Sequence, residues 1–374
     1  MATPVREWVR KLWRRGPTKS ALALAGGGVI GGMYEVGALA ALEESLPGFK
    51  ATNFDIYVGS SAGAVVATLV ANGVSPLELY QILDQGLPDP MNFEQSAVYD
   101  RHAVVQAARR FLRLVWAVGS RHVVARFRSS VPDLLSKAQG ELPPGFFSLE
   151  QLEEYIRRTL EAKGLSNDFR SLARVLLIPA VDLDRAERVV FGLGELAAVP
   201  ISQAVAASSA IPGFFEPYTV NNRDHVDGGV GHTVHADLAI QAGAELVVVV
   251  NPLVPVVQEG EEGQTPMKQQ GLYSIMEQSS RIINQRLFDM GLRELKASHP
   301  KVELFILQPD GRESPLFGPS MGFAASRAAL RFGHTFTKEW LASQGATLTR
   351  RFALEELTLA DRSSSSGSAS AAAS

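Results

Sequence analysis

Cysteine is absent from the 374 residues. That excludes disulfide staples, thiolate metal sites and a cysteine nucleophile, and leaves the redox compartment open. No unbroken apolar run reaches the roughly 20 residues that a membrane-spanning helix needs. The longest candidate, Leu246–Val257, is broken by Asn251, Pro252 and Pro255 and reads as a buried strand. Net charge is also scarce: −3, with 20% charged residues against 46% hydrophobic ones. This balance argues against a nucleic-acid binder and for a large buried core, one α/β domain with insertions or at most two domains. The apolar stretch after the basic N-terminus dissolves into glycines, so no secretory signal is expected and the default location is cytoplasmic.

The charge is unevenly spread. In residues 1–19, Val5, Trp8, Val9, Leu12 and Trp13 share one helical face, while Arg6, Arg10, Lys11, Arg14 and Arg15 occupy the other. Such a basic amphipathic helix either lies on an anionic membrane, peripherally, through residues 1–15, or docks on the protein's own core. Within an expected basic helical insertion at 95–140, residues 101–128 carry seven arginines from Arg101 to Arg128, interleaved with Phe111, Leu112, Leu114 and Trp116. Two readings stand for it: a lid or membrane-facing cap, or an ordinary helix pair with a solvated basic face. The main domain is expected over 20–345, followed by an extension at 346–361 and a disordered Ser/Ala-rich tail at 362–374.

Chemistry enters at Phe54-Asp-Ile-Tyr-Val-Gly-Ser-Ser-Ala-Gly63. A short apolar strand runs into Gly59-Ser-Ser-Ala-Gly63, a G-x-S-x-G pattern, and a helix follows. A strand–turn–helix of this kind exposes a serine hydroxyl on a strained bend, with glycines where a Cβ would clash. Ser61 is the expected nucleophile, and Gly59 and Gly63 shape its elbow.

Upstream, Leu22-Ala-Leu-Ala-Gly-Gly-Gly-Val-Ile-Gly-Gly32 precedes a helix expected from near Met33. Consecutive glycines between strand and helix leave backbone N–H groups unshielded, a nest for an anion at the positive end of a helix dipole. In acyl transfer that anion is the tetrahedral oxyanion, and each well-placed donor is worth roughly 10²–10³ in rate. Gly26, Gly27 and Gly28 are the expected donors. Gly26, Gly28 and Gly31 also satisfy G-x-G-x-x-G, but a dinucleotide site expects an acid at the end of the second strand. Asp55 stands at its beginning, so the cofactor reading lacks its confirming residue. No cofactor or metal is expected.

A serine needs a base. None of the seven histidines stands in a setting that demands catalysis; a Ser-His-Asp hydrolase would have to recruit His334. Asp227, in Val226-Asp-Gly-Gly-Val230, follows a short strand and precedes a sharp turn. A carboxylate in reach of Ser61 can take its proton directly in a dry pocket. Alone, a D-G-G is better read as an ordinary tight turn capped by its own aspartate.

Taken together, Gly26-Gly-Gly-Val-Ile-Gly31, Gly59-Ser-Ser-Ala-Gly63 and Asp227-Gly-Gly229 resemble the oxyanion loop, nucleophile elbow and catalytic aspartate of the patatin-like phospholipases. Ala206-Ala-Ser-Ser-Ala-Ile-Pro-Gly-Phe-Phe-Glu-Pro217 is similar to the segment before that family's D-G-G. The resemblance implies a three-layer α/β/α fold with a mainly parallel sheet. It also implies hydrolysis of lipid acyl esters by a Ser61–Asp227 dyad, without metal or histidine. Two departures bear on headgroup preference. Ile30 stands where many members carry a basic residue, and His232 and His235 follow the D-G-G where Asn and Pro are commoner. A non-enzymatic lipid-binding protein of the same fold is the remaining alternative.

Overall fold

Ala21 and Ala23 alternate with Leu22 and Leu24 along the first strand, and all four side chains are fully buried. Both faces of this strand are therefore covered, as a parallel strand between helical layers requires. The computed structural model describes residues 19–93, 144–232, 234–258, 265–309 and 321–342, with 109, 112, 116, 311 and 316. The expected helix at the N-terminus, nearly all of the basic insertion, the extension and the tail lie outside the described residues. Arg109, Leu112 and Trp116 are each helical and exposed.

Among the described residues the strands are β1 Ser20–Leu24, β2 Ile56–Gly59, β3 Val175–Asp182, β4 Glu187–Phe191, β5 Tyr218–Val220, β6 Arg223–Val226, β7 Leu246–Val250 and β8 Glu303–Leu307. They form one sheet in the order β5-β6-β3-β2-β1-β7-β8, with β4 also paired to β3. The β3–β2–β1–β7–β8 portion is parallel; β4, β5 and β6 make an antiparallel flank. The helices are α1 Gly28–Ser45, α2 Ala62–Ala71, α3 Pro76–Gln85, α4 Glu150–Ala162, α5 Ile201–Ser208, α6 Ala236–Gln241, α7 Leu272–Ser298 and α8 over 326–342.

Three layers result. Leu22 and Leu24 face a thick core shared with α1 to α5 and α8. Ala21 and Ala23 face a thinner layer made by α6 and by Phe288 of α7. Small residues on one face and leucines on the other match the unequal thickness of the two helical layers. Helix α1 is the centre of the thick layer. It begins at Gly28, not near Met33, and almost all of it is buried, including Glu35 and Glu43. Its early start is permitted by Gly31, where a Cβ would collide with the Gly26 carbonyl, and by Gly32, whose Cβ would sit 3.1 Å from that of Ala62. Ile30 is buried in the same core, a position that suits an apolar residue.

Register places the site. Leu24 of β1 pairs with Gly59 of β2, so the glycine loop and the serine turn leave adjacent parallel strands at the same level. Ligand sites in parallel sheets form at this carboxyl end. Strand β3 pairs with β2 only up to Leu177 and Val58, then runs on. Strand β6 pairs with that overhang, Val181 opposite Val226, and runs back along it. The turn after Val226 thus arrives beside Pro179, at the height of Ser61.

Candidate active site

Ser61 occupies the turn between β2 and α2 with φ 56° and ψ −131°, a sparsely populated conformation for a residue with a Cβ. The surroundings over-determine it. A Cβ on Gly63 would lie 2.7 Å from the Leu24 carbonyl oxygen and 2.9 Å from the Gly26 nitrogen; one on Gly59 would collide with the Gly63 carbonyl. The Ser61 N–H donates to Ser208 Oγ at 3.0 Å. Ser208 in turn donates to the Pro179 carbonyl at 2.7 Å. The bend is therefore tied to the C-terminal end of α5 and to β3.

Asp227 is 7% exposed. Its Oδ1 accepts the Gly229 N–H at 2.7 Å, and its own N–H donates to the Ala210 carbonyl at 2.9 Å. Burial pushes its carboxyl up to about 6; the Gly229 N–H and the Ser61 side chain pull the other way. Oδ2 makes no full hydrogen bond. Ser61 is thus near enough to lower the carboxyl's pKa but forms no full hydrogen bond with it.

The glycine loop has φ values of +83°, +107° and +66° at Gly26, Gly27 and Gly28. Three successive left-handed residues are accessible to glycine alone at little cost. Gly26 packs under Ser61, where a Cβ would strike the Ser60 carbonyl and approach Ser61 Cβ to 2.9 Å. Its N–H, expected to serve the oxyanion, is instead donated to Glu35 Oε1 at 2.8 Å. Among the described residues the N–H groups of Gly27 and Gly28 have no acceptor, and no side chain caps α1. These two donors sit at the positive end of the helix dipole.

A cavity of about 930 Å³, its mouth included, opens at Ser61. Gly28 and Ala62 line it beside the serine, and its walls are almost wholly apolar, with Met33, Leu69, Leu83, Ile156 and Phe215 among them. Asp227 does not line it.

The histidines take other places. His334 pairs with Glu44 at 2.7 Å and stacks on Tyr80, so the triad alternative loses its base. His235 is buried, in the left-handed region at φ 50°. Its Nε2 lies 2.8 Å from the Gly228 carbonyl, and its Nδ1 lies 3.2 Å from Arg188, which also forks onto Asp237 at 2.6 and 3.1 Å. Burial and the adjacent guanidinium hold His235 neutral. The consistent tautomer donates from Nε2 to Gly228 and accepts from Arg188 at Nδ1. His235 therefore braces the D-G-G turn from outside, with His232 stacked on it. Reading the chain alone missed Ser208, Glu35 and Arg188. Ser208 lies inside the recognisable Ala206–Pro217 segment; the other two carry no local signal. Among the described residues no group of His, Asp and Glu is placed to hold a metal.

A serine on a strained strand–helix bend, a buried carboxyl beside it and a glycine loop with unengaged N–H groups make a candidate centre of the serine-hydrolase type. Residues 22–240 match the patatin-like phospholipase family, and the chain belongs to it. It is similar to the probable lipid hydrolase 463L of Invertebrate iridescent virus 6, 21% identical over 221 residues, which span 58% of this chain and 61% of the viral protein. Among solved structures it is similar to VipD from Legionella pneumophila: 17% identity, 88% of this chain, 67% of that one, TM-score 0.41. It is also similar to the type III effector ExoU, at 16% identity over 88% of this chain and 53% of that one, TM-score 0.38.

Proposed function

We propose that this chain is a serine acyl hydrolase acting on acyl esters of phospholipids, lysophospholipids or related lipids. The observation that carries the reading is the junction of Ser61 with a long apolar cavity, with Asp227 buried behind the serine. Apolar walls suit a hydrocarbon chain, which gains about 0.8 kcal/mol for each CH₂ removed from water. The ester carbonyl is then left at the polar end, against Ser61.

The chemistry follows from the groups present. Ser61 Oγ attacks the ester carbonyl carbon while Asp227 Oδ2 takes the hydroxyl proton. A carboxyl near 6 is ionised at neutral pH and still basic enough to accept that proton. The N–H groups of Gly27 and Gly28 meet the oxyanion. The tetrahedral species collapses, the leaving alkoxide takes the proton from Asp227, and an acyl–Ser61 ester remains. Asp227 then deprotonates a water that attacks the acyl carbonyl, and Ser61 is regenerated. Replacing Ser61 with Ala should abolish ester hydrolysis and labelling by a fluorophosphonate probe. Undiminished labelling of that variant would sink the assignment.

Lipid esters reside in membranes, and no helix among the described residues is long and apolar enough to cross one. Peripheral contact through the basic residues 1–15, and through 101–128, supplies the approach in this reading. Removing residues 1–16 should reduce hydrolysis in anionic vesicles more than hydrolysis of a soluble short-chain ester. Equal losses on both would count against a membrane role.

A further inference from the structure

Glu35 is 0% exposed, on the second turn of α1, and the mechanism above makes no use of it. No ion pair is formed by it among the described residues. Its Oε1 reaches back across nine positions to accept the Gly26 N–H at 2.8 Å, and its Oε2 has no partner. An acid this deep needs a reason, because burial pushes its pKa well above the ordinary carboxylate range.

We infer that Glu35 is the positioning residue of the oxyanion loop. By holding Gly26, it keeps the three left-handed glycines in register, so that the N–H groups of Gly27 and Gly28 stay unpaired beside Ser61. The inference rests on the serine-hydrolase reading and adds to it the group that sets the donors.

Gly26 touches both parties. It donates to Glu35, and it packs against the Ser60 carbonyl and Ser61 Cβ. Without an acceptor, its buried N–H would be left unsatisfied at a cost, and the loop would relieve that by turning. Because glycine resists such turning so weakly, the run needs an external anchor. The loop folds back alongside α1, the Gly26 carbonyl lying where a Cβ on Gly31 would stand, so Glu35 one turn further on meets the Gly26 N–H. Burial disfavours the charged form of Glu35, and what the loop needs from it is the oxygen that accepts from Gly26. A glutamine has the same oxygen at the same reach.

The test uses the full chain with Glu35→Gln, Glu35→Asp, Glu35→Leu and Ser61→Ala, assayed on a soluble short-chain p-nitrophenyl ester. Rates of fluorophosphonate labelling and thermal melts accompany the kinetics. Glu35→Leu should lower kcat by roughly 10²-fold or more, the cost of losing aligned oxyanion donors, with KM little changed and labelling slowed in parallel. Glu35→Asp withdraws the acceptor by roughly 1.5 Å and should also lower kcat. Glu35→Gln should keep wild-type kcat to within a few-fold. If Glu35→Leu does not fold, the Asp and Gln variants decide. Wild-type kcat in Glu35→Asp, or a loss confined to KM, would overturn the inference, as would a folded Glu35→Gln as slow as the other variants. Turnover surviving in Ser61→Ala would overturn the underlying serine reading instead.

Discussion

Replacing Asp227 with Asn should remove the base and stabilise the fold in one step. The carboxyl is 7% exposed, and burial moves its pKa from 3.8 to about 6. At roughly 1.4 kcal/mol per pH unit, holding it ionised in the folded state costs about 3 kcal/mol. The sign follows from the proton count. Above about pH 7 the group is ionised both folded and unfolded, and the cost is present in full. As pH falls through 6 toward 3.8, the folded protein holds a proton that the unfolded chain has released, and the cost is relieved. Asn keeps an oxygen for the Gly229 N–H and carries no charge. The variant should therefore melt several degrees higher than wild type at pH 8, with the gap closing toward pH 4. Thermal melts of both proteins across that range, followed by circular dichroism, read it directly. In the same range, wild-type kcat/KM should fall as pH drops below about 6, because the base becomes protonated. A variant that melts at or below wild type at pH 8, or a gap that stays constant with pH, would refute the claim that Asp227 is strained by burial for catalysis.

Three further outcomes follow from the geometry. Gly63→Ala places a Cβ 2.7 Å from the Leu24 carbonyl oxygen and 2.9 Å from the Gly26 nitrogen; it should lower both kcat and Tm, and a wild-type melt would show the elbow to be looser than described. His235→Leu removes the donor that braces Gly228 and the acceptor for Arg188; kcat should fall by about tenfold, against a few-fold at most in KM, as expected for a displaced base. Ile156→Trp fills part of the cavity beside α4; its preference should shift toward shorter acyl chains on an ester series, and an unchanged chain-length profile would exclude this cavity as the acyl site.

How much of this was legible in the chain depends on how locally each feature is encoded. The glycine loop needs positive φ values that favour glycine, and the elbow's glycines sit where a Cβ would meet backbone, so both show locally, as three adjacent glycines and as G-x-S-x-G. The strands are legible for a related reason. Runs such as Leu246–Val250, apolar on both faces, can only be buried parallel strands in an α/β context, and the structure puts β7 between β1 and β8. Asp227 was legible only jointly, since D-G-G is a turn until the overhang of β3 brings it to the height of Ser61. The contacts between distant segments left no trace. Ser61 meets Ser208 across 147 positions, and Arg188 joins His235 through the antiparallel flank.

Glu35 shows the limit most sharply. In Gly28–Ser45 a glutamate among alanines and leucines reads as the solvent-facing residue of a helix, but α1 has no solvent face, because α2, α3 and α8 surround it. Its burial is a property of the layer, not of the segment. The site thus holds two buried carboxyls under the same physical pressure, each displaced upward by desolvation. What separates them is position. Asp227 has Ser61 beside it and a pKa of about 6; Glu35 has only backbone donors, and burial raises its pKa well above the ordinary carboxylate range. In our reading the first moves the proton, and the second holds still the loop that receives the charge.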